Sequence, residues 1–289
     1  MAASHWPHTQ WPNGRATALD RCVPRHRMAA TIFGEAVTVT EQWSQAQSQF
    51  NEDGFAVVRG FVSRDEIEQI NNEVDRYVAE VVPTLPAGEA FYEFKDEPET
   101  LKQLPRINEH DEYFQRFHCH PRMSELASHV LGCAVVGRNL QWFNKPPQRG
   151  KPTPVHQDGF YDKIVPLKMV NMWLALDPVD EANGCVRYVT GSHKLGLRAH
   201  ASTNTLGFSQ GLVDFGPDDQ AREVAVRAEP GDMLLHHGLT IHRADGNASD
   251  RHRRAIGSVY YGAHVKRDDA HWYGYQRELT QKLIRTGKL

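Results

Sequence analysis

Two side chains near the middle of the chain have the types and the spacing of metal ligands. His156 and Asp158 are separated by one residue, so in an extended strand both side chains would point to the same side. An imidazole nitrogen and a carboxylate oxygen, joined by a second imidazole from elsewhere, would occupy one face of an octahedral ion. The opposite face would stay open, and Fe(II) needs such a face to bind a cosubstrate and dioxygen together.

The third ligand must come from a distant part of the chain. With 16 His and 36 acidic residues in 289, about two His-x-Asp/Glu triplets are expected by chance, so the triplet alone is weak evidence. Residues 229–242 read as a turn and a strand that ends at His242, although His236 and His237 on the same strand are equally good candidates from the residues alone. Arg253, eleven residues after His242, offers a guanidinium fork that suits the distal carboxylate of a dicarboxylic cosubstrate.

Helices dominate the first half of the chain that must position these residues. Ser63 and Glu66 have the spacing of a capping box, and apolar residues then recur at helical spacing until Pro83. A further helix is predicted over 121–131, with proline at its start and Gly132 just past its end. A short helix after residue 40 and a strand over 55–58 are predicted before them.

The second half of the chain reads as antiparallel β-structure. Apolar runs of strand length, bounded by Gly, Pro, Asn or Asp, follow one another: Val135–Phe143, Val170–Leu176, Cys185–Val189, Met233–His237 and Ala255–Tyr261. We therefore predict one domain over residues 40–289. Residues 1–39 are predicted to be a disordered or loosely packed extension, with a transit peptide as the alternative.

Composition excludes several functional classes. The net charge is −3 and no long basic run is present, so we expect neither a nucleic acid nor a membrane as a partner. No stretch approaches the length of a membrane span. The four cysteines are scattered, which argues against a disulfide framework and a thiolate zinc site and favours the cytoplasm. The oligomeric state is left open.

The order of several short motifs makes the chain resemble the phytanoyl-CoA dioxygenase (PhyH-like) family of Fe(II)/2-oxoglutarate oxygenases. The matching stretches are Asn144-Lys145-Pro146-Pro147, His156-Gln157-Asp158, Trp173–Leu176, Asn183-Gly184-Cys185, Gly191–Lys194, Gly231-Asp232, and His242 through Asn247 to Arg253–Ile256. The resemblance implies a mainly β fold with flanking helices, in which a double-stranded β-helix, a jelly roll of the cupin type, forms the core. It also implies Fe(II), 2-oxoglutarate and O2 as cofactor and cosubstrates.

The same resemblance assigns roles to individual residues. His156, Asp158 and His242 match the metal ligands, and Arg253 matches the arginine that binds the distal carboxylate of 2-oxoglutarate. Arg254 competes for that role, because neighbouring strand residues face opposite ways. Three further positions match the cosubstrate site, the third more loosely: Trp173, Gln141 and Arg106.

The resemblance implies a dioxygenase that hydroxylates an aliphatic C–H bond of a small organic substrate and releases succinate and CO2. Asp158 stands where related halogenases have a small residue, so halogenation is not expected. A cupin-like metal-binding or isomerase module is the alternative. Phe160, Tyr161 and the aromatic residues of 272–275 are candidates for a lid, or for packing against the barrel.

Overall fold

The computed structural model describes residues 41–86, 88–205 and 207–267. The predicted N-terminal extension and the aromatic cluster at 272–275 lie outside the described residues. In the described part of the chain, no helix is long and apolar enough to cross a membrane.

Seven α-helices lie in the described residues. They are α1 (Glu41–Asp53), α2 (Arg64–Arg76), α3 (Ile107–His110), α4 (Glu112–His118), α5 (Pro121–Leu131), α6 (Gly159–Asp162) and α7 (Pro217–Ala221). The predicted capping box opens α2: the Ser63 hydroxyl accepts from Glu66 N, and Ser63 N donates to Glu66 Oε2 at 2.7 Å. The predicted helix continues past α2 as a π-helical turn and then a 3-10 turn that contains Pro83. Helix α5 has the predicted limits, and Gly132 ends it with a φ of 66°.

The strands build two larger sheets and two small pairs. They are β1 (Phe55–Val58), β2 (Phe91–Tyr92), β3 (Leu101–Leu104), β4 (Val135–Lys145), β5 (Thr153–His156), β6 (Ile164–Val165), β7 (Met169–Ala175), β8 (Val186–Val189), β9 (His200–Thr205), β10 (Phe208–Leu212), β11 (Glu223–Val226), β12 (Met233–His237), β13 (His242–Ala244), β14 (Arg253–Gly262) and β15 (Lys266–Arg267). A seven-stranded sheet has the order β1-β12-β7-β14-β4-β3-β2, and a four-stranded sheet has the order β11-β8-β13-β5. The remaining pairs are β9 with β10 and β6 with β15.

The connectivity is that of the predicted jelly roll. Within the larger sheet β12 pairs with both β1 and β7, and all these pairings are antiparallel. In the smaller sheet β13 lies between β5 and β8. Strands far apart in sequence are therefore hydrogen-bonded neighbours, which brings residues 156 and 242 side by side.

The seven-stranded sheet is covered on both faces. Its outer face packs against α1, α2 and α5 through a large apolar cluster that includes Leu174, Leu235 and Ile256. Its inner face meets the four-stranded sheet through a second cluster, in which Trp173 and Leu234 lie with Tyr188. Strands buried on both faces read as continuous apolar runs, which explains why the sequence shows runs in place of a clean alternation.

One cysteine forms a disulfide bond that the sequence analysis did not predict. Cys133 and Cys185 are free thiols, but Cys119 is disulfide-bonded. The scattered spacing of the cysteines did not predict this bond, because a disulfide depends on Cα separation in space and not on distance along the chain.

Candidate metal centre

The two predicted histidine ligands lie on neighbouring strands of the smaller sheet. His156 is the last residue of β5 and His242 the first of β13, and the two are directly paired in the strand register. Their ring centroids are 4.1 Å apart. Asp158 follows at the N-cap of α6, where its Oδ1 lies 3.3 Å from His156 Nε2 and its Oδ2 lies 3.6 Å from His242 Nε2. One donor atom from each of the three residues falls within 4.8 Å of the others.

Backbone carbonyls orient both rings. His156 Nδ1 lies 2.7 Å from Pro154 O, and His242 Nδ1 lies 3.0 Å from Thr240 O. A carbonyl oxygen only accepts, so each Nδ1 carries the proton and donates. Each Nε2 then faces Asp158 and is the ring nitrogen available to coordinate a metal.

The protonation states also suit a cation. Burial, together with the neighbouring His156, holds the pKa of His242 well below its ordinary value, so this ring is neutral at physiological pH. Burial by itself would raise the pKa of Asp158. Proximity to the imidazoles of His242, His156 and His236 outweighs burial and holds the pKa of Asp158 well below its ordinary value. The centre therefore offers two imidazole nitrogens and one ionised carboxylate.

A third histidine reaches the same carboxylate. His236 Nε2, from β12, lies 2.8 Å from Asp158 Oδ2, and the Asn171 amide on β7 donates to the same oxygen. The Tyr188 hydroxyl lies 3.2 Å from His236 Nδ1. His236 was considered from the sequence only as a competing ligand, and Asn171 and Tyr188 were missed. Asn171 precedes Trp173 by two residues on one strand, so the period-two alternation was the available signal for it.

Arg253 points into the barrel from the start of β14. Its side chain is 5% exposed, and its guanidinium carbon lies 5.3 Å from the centre of the Trp173 ring. Among the described residues no carboxylate forms an ion pair with Arg253, and its Nε has no hydrogen-bond partner. Burial lowers the pKa of the guanidinium to about 10, so it stays charged at neutral pH. Arg254 faces the other way and pairs with Asp177 through Nη2 at 2.8 Å.

The other two predicted cosubstrate residues lie in different surroundings. Gln141, on β4, is hydrogen-bonded to the inner-face residue Gln103, with 2.9 Å between Oε1 and Nε2. Arg106 follows β3 in a left-handed conformation with a φ of 53° and forms an ion pair with Glu89. The structure brings Trp173 next to Arg253 but gives Arg106 an acidic partner of its own.

A hairpin and the motif helix cover one side of the centre. The β9–β10 hairpin places Phe208 edge-on to His156, with 5.4 Å between ring centroids. The Tyr161 hydroxyl in α6 donates to Gln210 O at 3.0 Å, and the Phe160 ring stacks on His200 at 4.5 Å. The two predicted lid aromatics thus attach the hairpin to α6, and neither of them packs into the main apolar core.

The residue between the first two ligands fastens the surrounding loops. Gln157 is fully buried, and its amide donates to Gly196 O at 2.9 Å and Leu239 O at 2.7 Å. Its Oε1 accepts from Arg198 N at 2.9 Å. Every hydrogen-bonding group of this side chain is used, so Gln157 ties the segment before β9 to the turn that leads to His242.

The side chains fit the cofactors that the sequence implies. Two imidazoles and one carboxylate are the donor set of mononuclear iron sites that keep positions open. The buried Arg253 cation with its unpaired Nε fits a carboxylate, because a buried charge without a counter-ion is costly.

Comparisons with known proteins agree with this geometry. The sequence profile of the family described as "Phytanoyl-CoA dioxygenase (PhyH)" matches residues 50–255. The peroxisomal phytanoyl-CoA dioxygenase of Rattus norvegicus is 28% identical over 228 residues, which cover 74% of this chain and 66% of that protein. This chain thus spans slightly less than two thirds of the length of that relative. A probable alpha-ketoglutarate-dependent hypophosphite dioxygenase of Stutzerimonas stutzeri is 25% identical over 74% of this chain and 77% of its own length.

Solved structures share the fold. A non-heme alpha ketoglutarate dependent carbocyclase from nogalamycin biosynthesis has a TM-score of 0.66, with 23% identity over 82% of this chain and 92% of its own. The epimerase SnoN, solved in complex with Fe3+, alpha ketoglutarate and nogalamycin RO, has a TM-score of 0.63, with 21% identity over 78% of this chain and 85% of its own. The jelly-roll prediction is confirmed, and the predicted iron and 2-oxoglutarate are both present in that epimerase complex. A profile match over residues 50–255 shows that the chain belongs to the phytanoyl-CoA dioxygenase (PhyH) family.

Proposed function

We propose that this chain is an Fe(II)- and 2-oxoglutarate-dependent dioxygenase that hydroxylates an aliphatic C–H bond of a small organic substrate. Succinate and CO2 are the co-products. The observation that supports it best is the buried Arg253 guanidinium, which lacks a carboxylate partner among the described residues and lies on the inner face of the sheet that carries Asn171 and His236. A metal site without a dicarboxylic cosubstrate has no need of such a cation.

Each residue has a defined part in this reaction. His156, Asp158 and His242 would hold the iron, which when bound with 2-oxoglutarate supplies oxygen activation. Arg253 would hold the distal carboxylate, and Trp173 fixes the guanidinium by its ring face. Phe208 and Tyr161 limit water access on the side of His156, which protects an oxidising centre from unproductive reactions.

Three other functions compete with hydroxylation on this fold. Asp158 fills the position that a halide would need, which disfavours halogenation. Structural neighbours include an epimerase and a carbocyclase, so the same fold also supports chemistry without net hydroxylation. The cupin-like metal-binding or isomerase module remains the alternative, and it predicts no role for Arg253.

The cytoplasm stays the expected compartment, whereas the name of the rat relative places that protein in the peroxisome.

An anaerobic spectrum tests the cofactors directly. Protein supplied with Fe(II) and 2-oxoglutarate should develop a weak visible charge-transfer band, and Asp158→Ala should abolish it because one of three ligands is lost. Asp218→Ala, which changes an exposed carboxylate on α7, should keep the band. No band in the wild-type protein would exclude the oxygenase.

Product analysis tests the reaction. Across a panel of small substrates under 18O2, hydroxylation should yield one labelled oxygen in the product for each succinate released. Succinate together with a rearranged and unlabelled product would replace hydroxylation by epimerase- or cyclase-like chemistry. Turnover of a substrate without succinate would favour the cupin-like alternative.

A further inference from the structure

One histidine at the centre has no part in the proposed mechanism. His236 is 5% exposed and lies on the inner face of β12, where its Nε2 lies 2.8 Å from Asp158 Oδ2. Its neighbour His237 faces the outer side, where its ring lies 5.8 Å from that of Phe50. A histidine aimed at a ligand carboxylate from a separate strand calls for an explanation, because an apolar residue would fill the same space at no polar cost.

The hydrogen bonds around His236 follow from its partners. A carboxylate oxygen accepts, so His236 Nε2–H is the donor in the 2.8 Å contact with Asp158 Oδ2. In the neutral ring Nδ1 then accepts, and the Tyr188 hydroxyl 3.2 Å away is its donor. The resulting chain runs from Tyr188 through His236 to Asp158.

Asn171 completes the arrangement. Its amide nitrogen donates to the same Oδ2 and lies 3.2 Å from His236 Nε2. Two N–H donors from two strands of one sheet thus converge on a single carboxylate oxygen. Tyr188 itself is held by a stacked Phe55 ring, with 4.8 Å between centroids and 16° between planes. The clamp therefore rests on the barrel core, while Asp158 rests on the short helix α6.

We propose that His236 and Asn171 are positioning residues that hold Oδ2 of Asp158 and leave Oδ1 as the oxygen offered to the metal. A carboxylate fixed in this way supplies one oxygen, so it cannot rotate to cover a second position that the cosubstrate needs. His236 is not itself a ligand in this arrangement, since its Nε2–H is already committed to Oδ2. The inference rests on the proposed function only in taking the triad as the metal site.

Metal affinity in the absence of cosubstrate tests the clamp. Co(II) would be titrated into metal-free protein, and the dissociation constant and visible Co(II) spectrum would be measured. His236→Leu should weaken Co(II) binding by about 10- to 100-fold, the usual cost of losing an outer-shell partner of a ligand, and should change the spectrum. His236→Gln keeps an N–H donor and should recover most of that loss. Asn171→Leu should also weaken binding, and Tyr188→Phe should do so least, because it only orients His236.

The matched control is the adjacent histidine. His237→Leu removes an imidazole from the same strand but from the outer face, so it should leave the Co(II) affinity and spectrum unchanged. Thermal unfolding of each metal-free variant checks that the fold is retained. The clamp is refuted if His236→Leu binds Co(II) like the wild type, or if the Gln and Leu variants lose the same affinity. The clamp is also refuted if His236→Leu abolishes Co(II) binding as fully as His242→Ala does, since His236 would then be a ligand.

This outcome is separate from that of the proposed function. Co(II) binding requires no turnover, so a failed clamp leaves the succinate assay unaffected. Conversely, an enzyme that releases no succinate would still report on the clamp through its Co(II) affinity.

Discussion

The outer face of the seven-stranded sheet packs against helices, whereas its inner face combines an apolar cluster with the polar residues of the metal centre, although the same strands build both faces. The outer face carries Met172, Leu174 and Leu235 against the helices. The inner face carries Asn171 and His236 at the metal centre, with Trp173 beside Arg253. Alternate residues of one strand therefore serve stability and chemistry in turn. Mutations of two adjacent residues on β7 or β12 should therefore differ in kind: one should affect stability and the other the chemistry of the metal centre.

The largest effect is expected from the inner face. Arg253→Ala should raise the 2-oxoglutarate concentration needed for half-maximal succinate release by about 30-fold or more, because truncating one partner of a buried charge pair costs about 2–5 kcal/mol. Arg254→Ala, one residue away, removes an ion pair with Asp177 outside the barrel and should leave that requirement near the wild-type value. If the two variants exchange these phenotypes, the assignment of the faces at the start of β14 is wrong.

The outer face should respond in stability. Leu174 is fully buried among apolar side chains, so Leu174→Ala should lower the free energy of unfolding by about 2–5 kcal/mol, measured by urea denaturation of the metal-free protein. The folded fraction should keep its 2-oxoglutarate requirement. Val224→Ala on the partly exposed edge strand β11 removes a similar apolar group and should cost much less. Equal losses would mean that the outer-face core is not where stability resides.

A smaller, pH-dependent effect is expected from a histidine behind the outer face. His118 is buried at the end of α4, 2.8 Å from Ser258 Oγ, and burial lowers its pKa to about 4. The His118 imidazole binds a proton more readily in the unfolded chain than in the folded one. Its effect on the free energy of unfolding is therefore absent above a pH of about 6.5, and the folded protein loses stability as the pH falls toward 4. The loss reaches about 3 kcal/mol at most. His118→Gln should flatten the pH dependence of unfolding in that window, and an unchanged slope would show that His118 does not titrate there.

The sequence predicted the elements better than their partners. The limits of α5, the capping box of α2 and the strand over 233–237 follow from local patterns, because caps and apolar runs act over a few residues. The turns after α2 were predicted only as helix, since a π-helical turn has no clear local signal. The β9–β10 hairpin was missed, because its residues pack on α6 and not on a continuous apolar core.

The metal triplet shows where spacing stops being informative. His110-Asp111-Glu112 has the same His-x-acid spacing as His156-Gln157-Asp158, but it spans the boundary between α3 and α4. Within the described residues, His156, Asp158 and His242 form a group of side chains that could hold a metal, and His110 belongs to no such group. The two triplets differ because only His156 lies beside a strand that supplies a third ligand.

The sequence alone determined the family, the cofactor class it implies and the residues proposed to hold the metal, because the order and spacing of short motifs record them. Tertiary structure decided which way each side chain faces. Sheet register paired His156 with His242, placed Arg253 inside and Arg254 outside, and turned His236 from a competing ligand into a partner of Asp158. Register links strands nearly ninety residues apart, and no local pattern carries that information.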